Sequence, residues 1–238
     1  LRGELRSELN DEHYSRASAA LSGNRVEATL KTLEASVGMW DDEETIKAEL
    51  RSLSSEDLMK IHERLKNDPE AKNLIEEVQC HLGGEDLDIF KTFVEADKDG
   101  SGNIIMPDAA ARNLRADAIE IYHAMDGWGT DEAKVYAGLE GKTEEERAAL
   151  QDAYMLYAKE KYVDGNRSVT GDPSEISDDK VLSLEDKIKD DFNHSGDGDD
   201  GIFSGDNYEG DIALGLLDGN DAAVRAARLE KASDGWFF

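Results

Sequence analysis

The sequence predicts an all-α protein built from tandem helical units. Three observations carry that prediction. Apolar residues recur every three or four positions and show no sustained alternation, which is the period of helices with one buried face. The 238 residues contain only three prolines, so little interrupts such helices. One turn signature also recurs: Val37-Gly38-Met39-Trp40, then Asp126-Gly127-Trp128, then Asp234-Gly235-Trp236, each behind a helical stripe. A long period carrying one loop signature indicates stacked helical modules.

Charge bounds the partners. With 55 acids against 27 bases the net charge is -28. Nucleic acid is excluded as an expected partner, because no basic stripe is present to neutralise phosphates. An anionic membrane would also repel the chain unless a divalent cation bridged the two. Cys80 is the one cysteine, so no internal disulfide framework exists. The chain opens at Leu1, with no signal peptide and no apolar run long enough to span a bilayer. It reads as a processed chain or a segment of a longer one. Its compartment is open: peripheral membrane, or extracellular if it belongs to a larger protein.

The elements follow in order. Residues 1–22 read as two short helices, Leu1–Leu9 and Tyr14–Leu21. The next helix carries Val26, Leu30, Leu33 and Val37 on one face. Asp41 or Asp42 caps a helix with Ile46, Leu50 and Leu53, and Ser54 caps one with Leu58, Ile61 and Leu65. A helix from about Ala71 to Leu82 turns Ile75, Val78 and Leu82 inward and breaks at Gly83-Gly84. Leu87–Ala96 is expected to bury Leu87, Phe90 and Val94. A later helix presents Leu114, Ala118, Ile121 and Met125, and Thr130 or Asp131 can cap its successor, with Val135 and Leu139. Thr143 and Glu146 form a capping box before a stripe of Leu150, Ala153, Tyr154, Tyr157 and Ala158. A polar loop spans 163–180, and a helix Leu182–Phe192 follows. An acidic glycine-rich loop then leads into a further helix, and Ala222–Ala232 forms the last.

The strongest chemical motif is Asp97-Lys98-Asp99-Gly100-Ser101-Gly102-Asn103-Ile104-Ile105-Met106-Pro107-Asp108. It fits a calcium loop of the EF-hand kind. Asp97, Asp99 and Ser101 stand at ligand positions 1, 3 and 5, and Gly102 stands at the sharp bend. Asn103 offers its carbonyl at position 7, and Ile104 can face the core. Asp108 replaces the usual Glu at position 12 and is one methylene shorter, which weakens bidentate ligation. An acidic Asx-rich turn that binds no metal is the alternative. A second acidic loop, Ser195 to Asp206, offers Asp197, Asp199 and Asp206. It departs from the pattern at Ser195 and Asp200, and a register from Asn193 is equally open. The same loop reads as a solvated segment too. The histidines do not cluster. His62, beside an apolar face, reads as a packed residue. No catalytic constellation is evident, so an enzyme is not expected.

The stretch Met125-Asp126-Gly127-Trp128-Gly129-Thr130-Asp131-Glu132 resembles the loop between the first two helices of an annexin repeat, and the match over those positions is complete. The resemblance covers 113–162 most specifically, with 21–96 looser and both ends partial. It implies five-helix repeats in a curved solenoid of about eleven helices; the EF-hand-like loops between the repeats are not an annexin feature and mark a divergent array. Its boundaries would be 1–22 for the last two helices of a preceding repeat, 23–108 for repeat 1 with the connector 97–108, 109–219 for repeat 2 with the acidic loop 193–206, and 220–238 for the first helix of a truncated third.

The resemblance further implies that the carbonyls of Met125, Gly127 and Gly129 ligate Ca2+, with Asp191 as the carboxylate that closes the site, and that Trp128 enters the lipid headgroups. Repeat 1 departs from the pattern: Trp40 replaces the second glycine, Asp41 the threonine, and His81 the acid. No annexin-type calcium site is expected there. The implied function is calcium-dependent binding to anionic phospholipid. The rival is a calcium-stiffened structural segment that contacts neighbouring repeats of a larger chain and binds no lipid. Neither reading involves a small-molecule substrate.

Overall fold

The structure is a computed structural model that describes residues 23–37, 43–126, 130–165, 172–193 and 208–234. The expected helices in 1–22 and the tips at Trp40, Trp128 and Trp236 lie outside the described residues. Eleven α-helices occur among the described residues, and no strand does. The chain divides into two compact units, Leu1–Asn113 and Leu114–Phe238. The all-α expectation therefore holds. No described helix is long and apolar enough to cross a membrane.

The first unit holds α1 (Arg25–Val37), α2 (Glu43–Arg51), α3 (Ser55–Asn67), α4 (Pro69–His81) and α5 (Gly84–Val94). Each starts where its sequence supplies a cap or a first-turn acid. Ser54 accepts from the Asp57 amide and Asp57 reaches back to the Ser54 amide, a complete capping box. Asp68 caps α4 through the Glu70 and Ala71 amides, and Pro69 takes the first helical position, where no amide is needed. The packing pairs are α1 with α2, α2 with α5, α5 with α4, and α4 with α1. That is a closed ring of four helices. The fifth, α3, packs on α1, α4 and α5. The expected core residues Leu33, Leu50, Leu58, Ile61, Val78 and Phe90 are buried.

One register differs from expectation. In α5, Ile89 and Phe93 are buried beside Phe90 and Val94, while Leu87 is only half-buried. The helix also ends at Val94 rather than Ala96. α5 packs against three other helices, so burial spreads beyond one stripe and a single-face reading of its sequence undercounts the core.

The division between the units falls within α6 (Ala109–Ala124). The second unit continues with α7 (Glu132–Leu139), α8 (Glu144–Gly165), α9 (Leu184–Asn193), α10 (Tyr208–Asp218) and α11 (Asp221–Asp234). The Thr143–Glu146 capping box forms as expected. Ser183 caps α9 through the Asp186 amide. Part of the expected polar loop 163–180 is ordered differently: α8 runs on to Gly165, and short 3-10 turns occupy Pro173–Glu175 and Asp178–Lys180. One apolar cluster joins Ala118, Ile121 and Met125 of the first helix region to Val135, Leu139, Leu150, Tyr154, Ile188, Phe192, Ile212, Leu217 and Val224. Here α10 packs on α7, α8, α9 and α11.

Gly138 shows how tightly that cluster closes. A Cβ at this position would sit 2.7 Å from the Ile121 Cδ1. Gly138→Ala should therefore destabilise the second unit by about 1–3 kcal/mol through overpacking. Phe90→Ala should cost about 3–5 kcal/mol in the first unit by leaving a cavity. Urea unfolding followed by circular dichroism checks both, and loss of less than about 1 kcal/mol in either would contradict the packing described.

Candidate functional site

The loop between α5 and α6 has a defined backbone. Lys98 and Ile104 face each other across a single antiparallel bridge. The Asp99 amide donates to the Asn103 carbonyl at 2.9 Å, and the Ile105 amide to the Asp97 carbonyl at 2.8 Å. Gly102 makes the bend at φ +81°, in the left-handed region that a side chain resists. Asp99 is the hub. Its Oδ1 accepts from the Ser101 and Asn103 amides at 2.9 Å each, and its Oδ2 from the Asn103 side chain at 3.1 Å. These hydrogen bonds, those from Asn103 first, hold the Asp99 carboxyl below the usual carboxylate range.

The loop thus bends where an EF-hand loop bends, but its oxygens are engaged internally. Asp97 is drawn away to Arg112, whose Nη2 donates to Oδ2 at 2.9 Å. The same guanidinium donates through Nη1 to the Thr92 carbonyl at the end of α5. Asp108 caps α6, accepting from the Ala110 and Ala111 amides at 2.9 and 3.2 Å. The Asn103 carbonyl, expected to face a cation, receives the Asp99 amide. Ser101 is exposed. Among the described residues, no three His, Cys, Asp or Glu side chains gather as a metal site. In this arrangement the donor set does not fit a bound calcium ion: Asp97 would have to exchange Arg112 for it, and the Asn103 carbonyl would have to turn.

Arg112 is the residue that the motif reading passes over. Its signal was available. It stands in the first turn of a helix, where the backbone dipole disfavours a cation, and no acid shares that turn. In the structure this base pairs with Asp97 in the loop before the helix.

The glycine loop of the second unit is described only at its ends. Gly127, Trp128 and Gly129 lie outside the described residues, as do Asp197, Asp199 and Asp206. Met125 is buried, with its amide bonded back into α6. The Asp131 amide donates to the Ala124 carbonyl at 2.9 Å, so the two ends of the loop meet. Asp131 also caps α7 through the Lys134 amide. Below this loop sits an aromatic group: Tyr122 packs on Tyr154 and edge-on to Tyr157 at 5.1 Å, and His123 Nε2 bonds the Tyr157 hydroxyl at 2.8 Å. The Tyr154 hydroxyl is pushed far up by burial, and then by the proximity of Tyr122, Asp191 and Asp126. Asp126 at the loop and Asp191 at the end of α9 therefore both lie within electrostatic reach of one buried hydroxyl. Asp191 is nearly buried and pairs with Lys187 at 2.7 Å. In the first unit His81, at the corresponding helix end, bonds the Glu77 carbonyl and is exposed.

Comparison with known proteins adds nothing to this geometry: no family description, no curated protein and no solved structure matches the chain.

His62 lies beside the loop and is 2% exposed. Its Nε2 meets the Phe93 carbonyl at 2.8 Å, which fixes the proton on that nitrogen. Burial first, then the Arg112 charge, holds this imidazole below its ordinary value of 6.5. The unfolded state therefore takes up a proton near pH 6.5 that the folded state refuses. Stability contributed by neutral His62 is complete above that pH and is lost as pH falls toward the depressed folded value. Urea midpoints measured between about pH 5 and 7 should fall on acidification, and His62→Gln should flatten that slope. An unchanged slope in the variant would contradict the assignment.

Proposed function

We propose that the chain is an annexin-like helical-repeat segment whose second unit makes calcium-dependent contact with anionic phospholipid at residues 125–131. The observation that supports this reading is the closed base of the glycine loop, where the Asp131 amide donates to the Ala124 carbonyl and brings the described ends of the loop together. Asp191, at the end of α9, is the carboxylate that this reading assigns to the site. Met125, Gly127 and Gly129 would give carbonyls to the cation, and Asp191 would leave Lys187 to join them. The ion would supply the positive charge that a chain of net charge -28 lacks when it approaches lipid phosphate. The four-helix ring closed by a fifth helix supports the same reading, because a repeat of that kind presents its loops from rigid helix ends. No catalytic role is part of this proposal.

A second reading is favoured by a specific observation. The loop 97–108 is closed by Arg112 rather than left open for a cation. In that reading the chain is a structural or interaction segment of a larger repeat protein, with calcium at 97–108 stiffening the connection only if Asp97 is released.

Co-sedimentation with phosphatidylserine vesicles separates the two. Calcium-dependent pelleting is expected, abolished by chelator and by Trp128→Ala, and weakened roughly tenfold by Asp191→Asn, as for loss of one charged ligand. No pelleting at millimolar calcium would sink the membrane reading. A melting temperature raised by calcium without lipid, and retained in Asp191→Asn but lost in Asp97→Asn, would instead support the structural reading.

A further inference from the structure

A cavity of about 530 Å³ opens between α3, α4 and the loop after α5, wholly within the first unit. Its size lies in the range of small-molecule sites. Buried Ile75 and Val94 and half-buried Leu65 and Ile104 give it an apolar lining. Lys66 comes from the last turn of α3 and Lys98 from the loop.

Acids outnumber bases two to one, and most of the described lysines show the consequence: Lys47 meets Glu44 and Asp86, Lys142 meets Asp117, Lys159 meets Asp178 and Lys187 meets Asp191, whereas Lys66, Lys91 and Lys98 have no such pair among the described residues. Lys72 also lines the cavity but is paired with Glu76 at 3.6 Å, and Glu76 and the exposed Glu95 line it as well. His62 lines the cavity as well, and its Nδ1 is buried with no hydrogen-bond partner among the described residues. Its Nε2 carries the proton, so Nδ1 can only accept a hydrogen bond.

We propose that this cavity binds a small amphipathic organic anion, with an apolar body against Ile75, Val94, Leu65 and Ile104 and a single carboxylate-type head between Lys66 and Lys98. Three lysines, Lys66, Lys72 and Lys98, line the cavity against two acids, Glu76 and Glu95, and this excess of positive charge at the lysines favours an anionic head. The cavity's size commits it to a small molecule rather than a helix or a chain segment. This inference is independent of the calcium reading, which concerns the second unit.

The test uses decanoate as probe, titrated calorimetrically at low salt into the full chain and into Lys66→Met/Lys98→Met. Both lysines are exposed, so the double variant keeps the fold, and an unchanged melting temperature verifies it. Decanoate should bind the parent chain, about tenfold more weakly the double variant, and more weakly still at high salt. Decanol, which has the tail without the charge, and acetate, which has the charge without the tail, should each bind less than decanoate. The Gly102 amide resonance, from the cavity wall, should shift on titration. No decanoate binding, equal binding by the double variant, equal binding of decanol, or shifts that leave Gly102 unmoved would each overturn the proposal.

Discussion

Excess negative charge is the constraint that organises the rest of this structure. A chain of net charge -28 brings carboxylates together whenever it becomes compact, and their repulsion opposes folding. Two devices offset it. Acids are concentrated in first helical turns, where the backbone dipole favours them: Glu43 and Glu44 in α2, Glu85 and Asp86 in α5, Glu144 to Glu146 in α8. Bases are then placed against acids, and one of them meets more than one. That base is Lys47. Burial opposes its charge, but hydrogen bonds to Glu44 and Asp86 more than compensate, and the ammonium is held well above its ordinary range. One lysine from α2 thereby ties down the acidic first turn of α5, and the ring of four helices closes across that contact.

The sequence made the helices legible because their signals are local. Ser54, Asp131 and Thr143 each cap the helix that their position predicts, and the stripes of α3, α4 and α8 bury most of the residues that their period selects, with Leu65 and Ala153 only half-buried. α5 shows where such reading stops. The number of partners around a helix is a property of the assembled ring, so nothing within Gly84–Val94 announces that Ile89 and Phe93 are as buried as Phe90. Caps and stripes belong to one helix; the width of a buried face belongs to all the helices that touch it.

The same distinction explains the loop 97–108. Its residue types satisfy two structures at once. An Asp at position 12 can ligate a cation, or it can cap the helix that begins one residue later, and the spacing is the same. An Asp at position 1 can face a metal or a guanidinium. What decides between them is Arg112, which lies beyond the motif and reaches Asp97 only because α5 and the start of α6 come together at Thr92. Either a divalent ion or an internal cation relieves the repulsion among the loop's carboxylates, and this chain already contains one of the two.

The bridge between Lys98 and Ile104 gives that loop two chemical faces. Successive residues in an extended segment point to opposite sides. Lys98 and Ile104 line the cavity, whereas Asp97, Asp99 and Asn103 do not and are held instead by the loop's own hydrogen bonds and by Arg112. Acidic and basic groups adjacent in sequence are thereby kept from neutralising one another. Lys98 pairs with neither Asp97 nor Asp99, whose carboxylates are held by Arg112 and by the loop's own hydrogen bonds. The hydrogen bonds that satisfy the acids are thus also what leave Lys98 available, so the charge on the cavity wall follows from the order on the loop's other face.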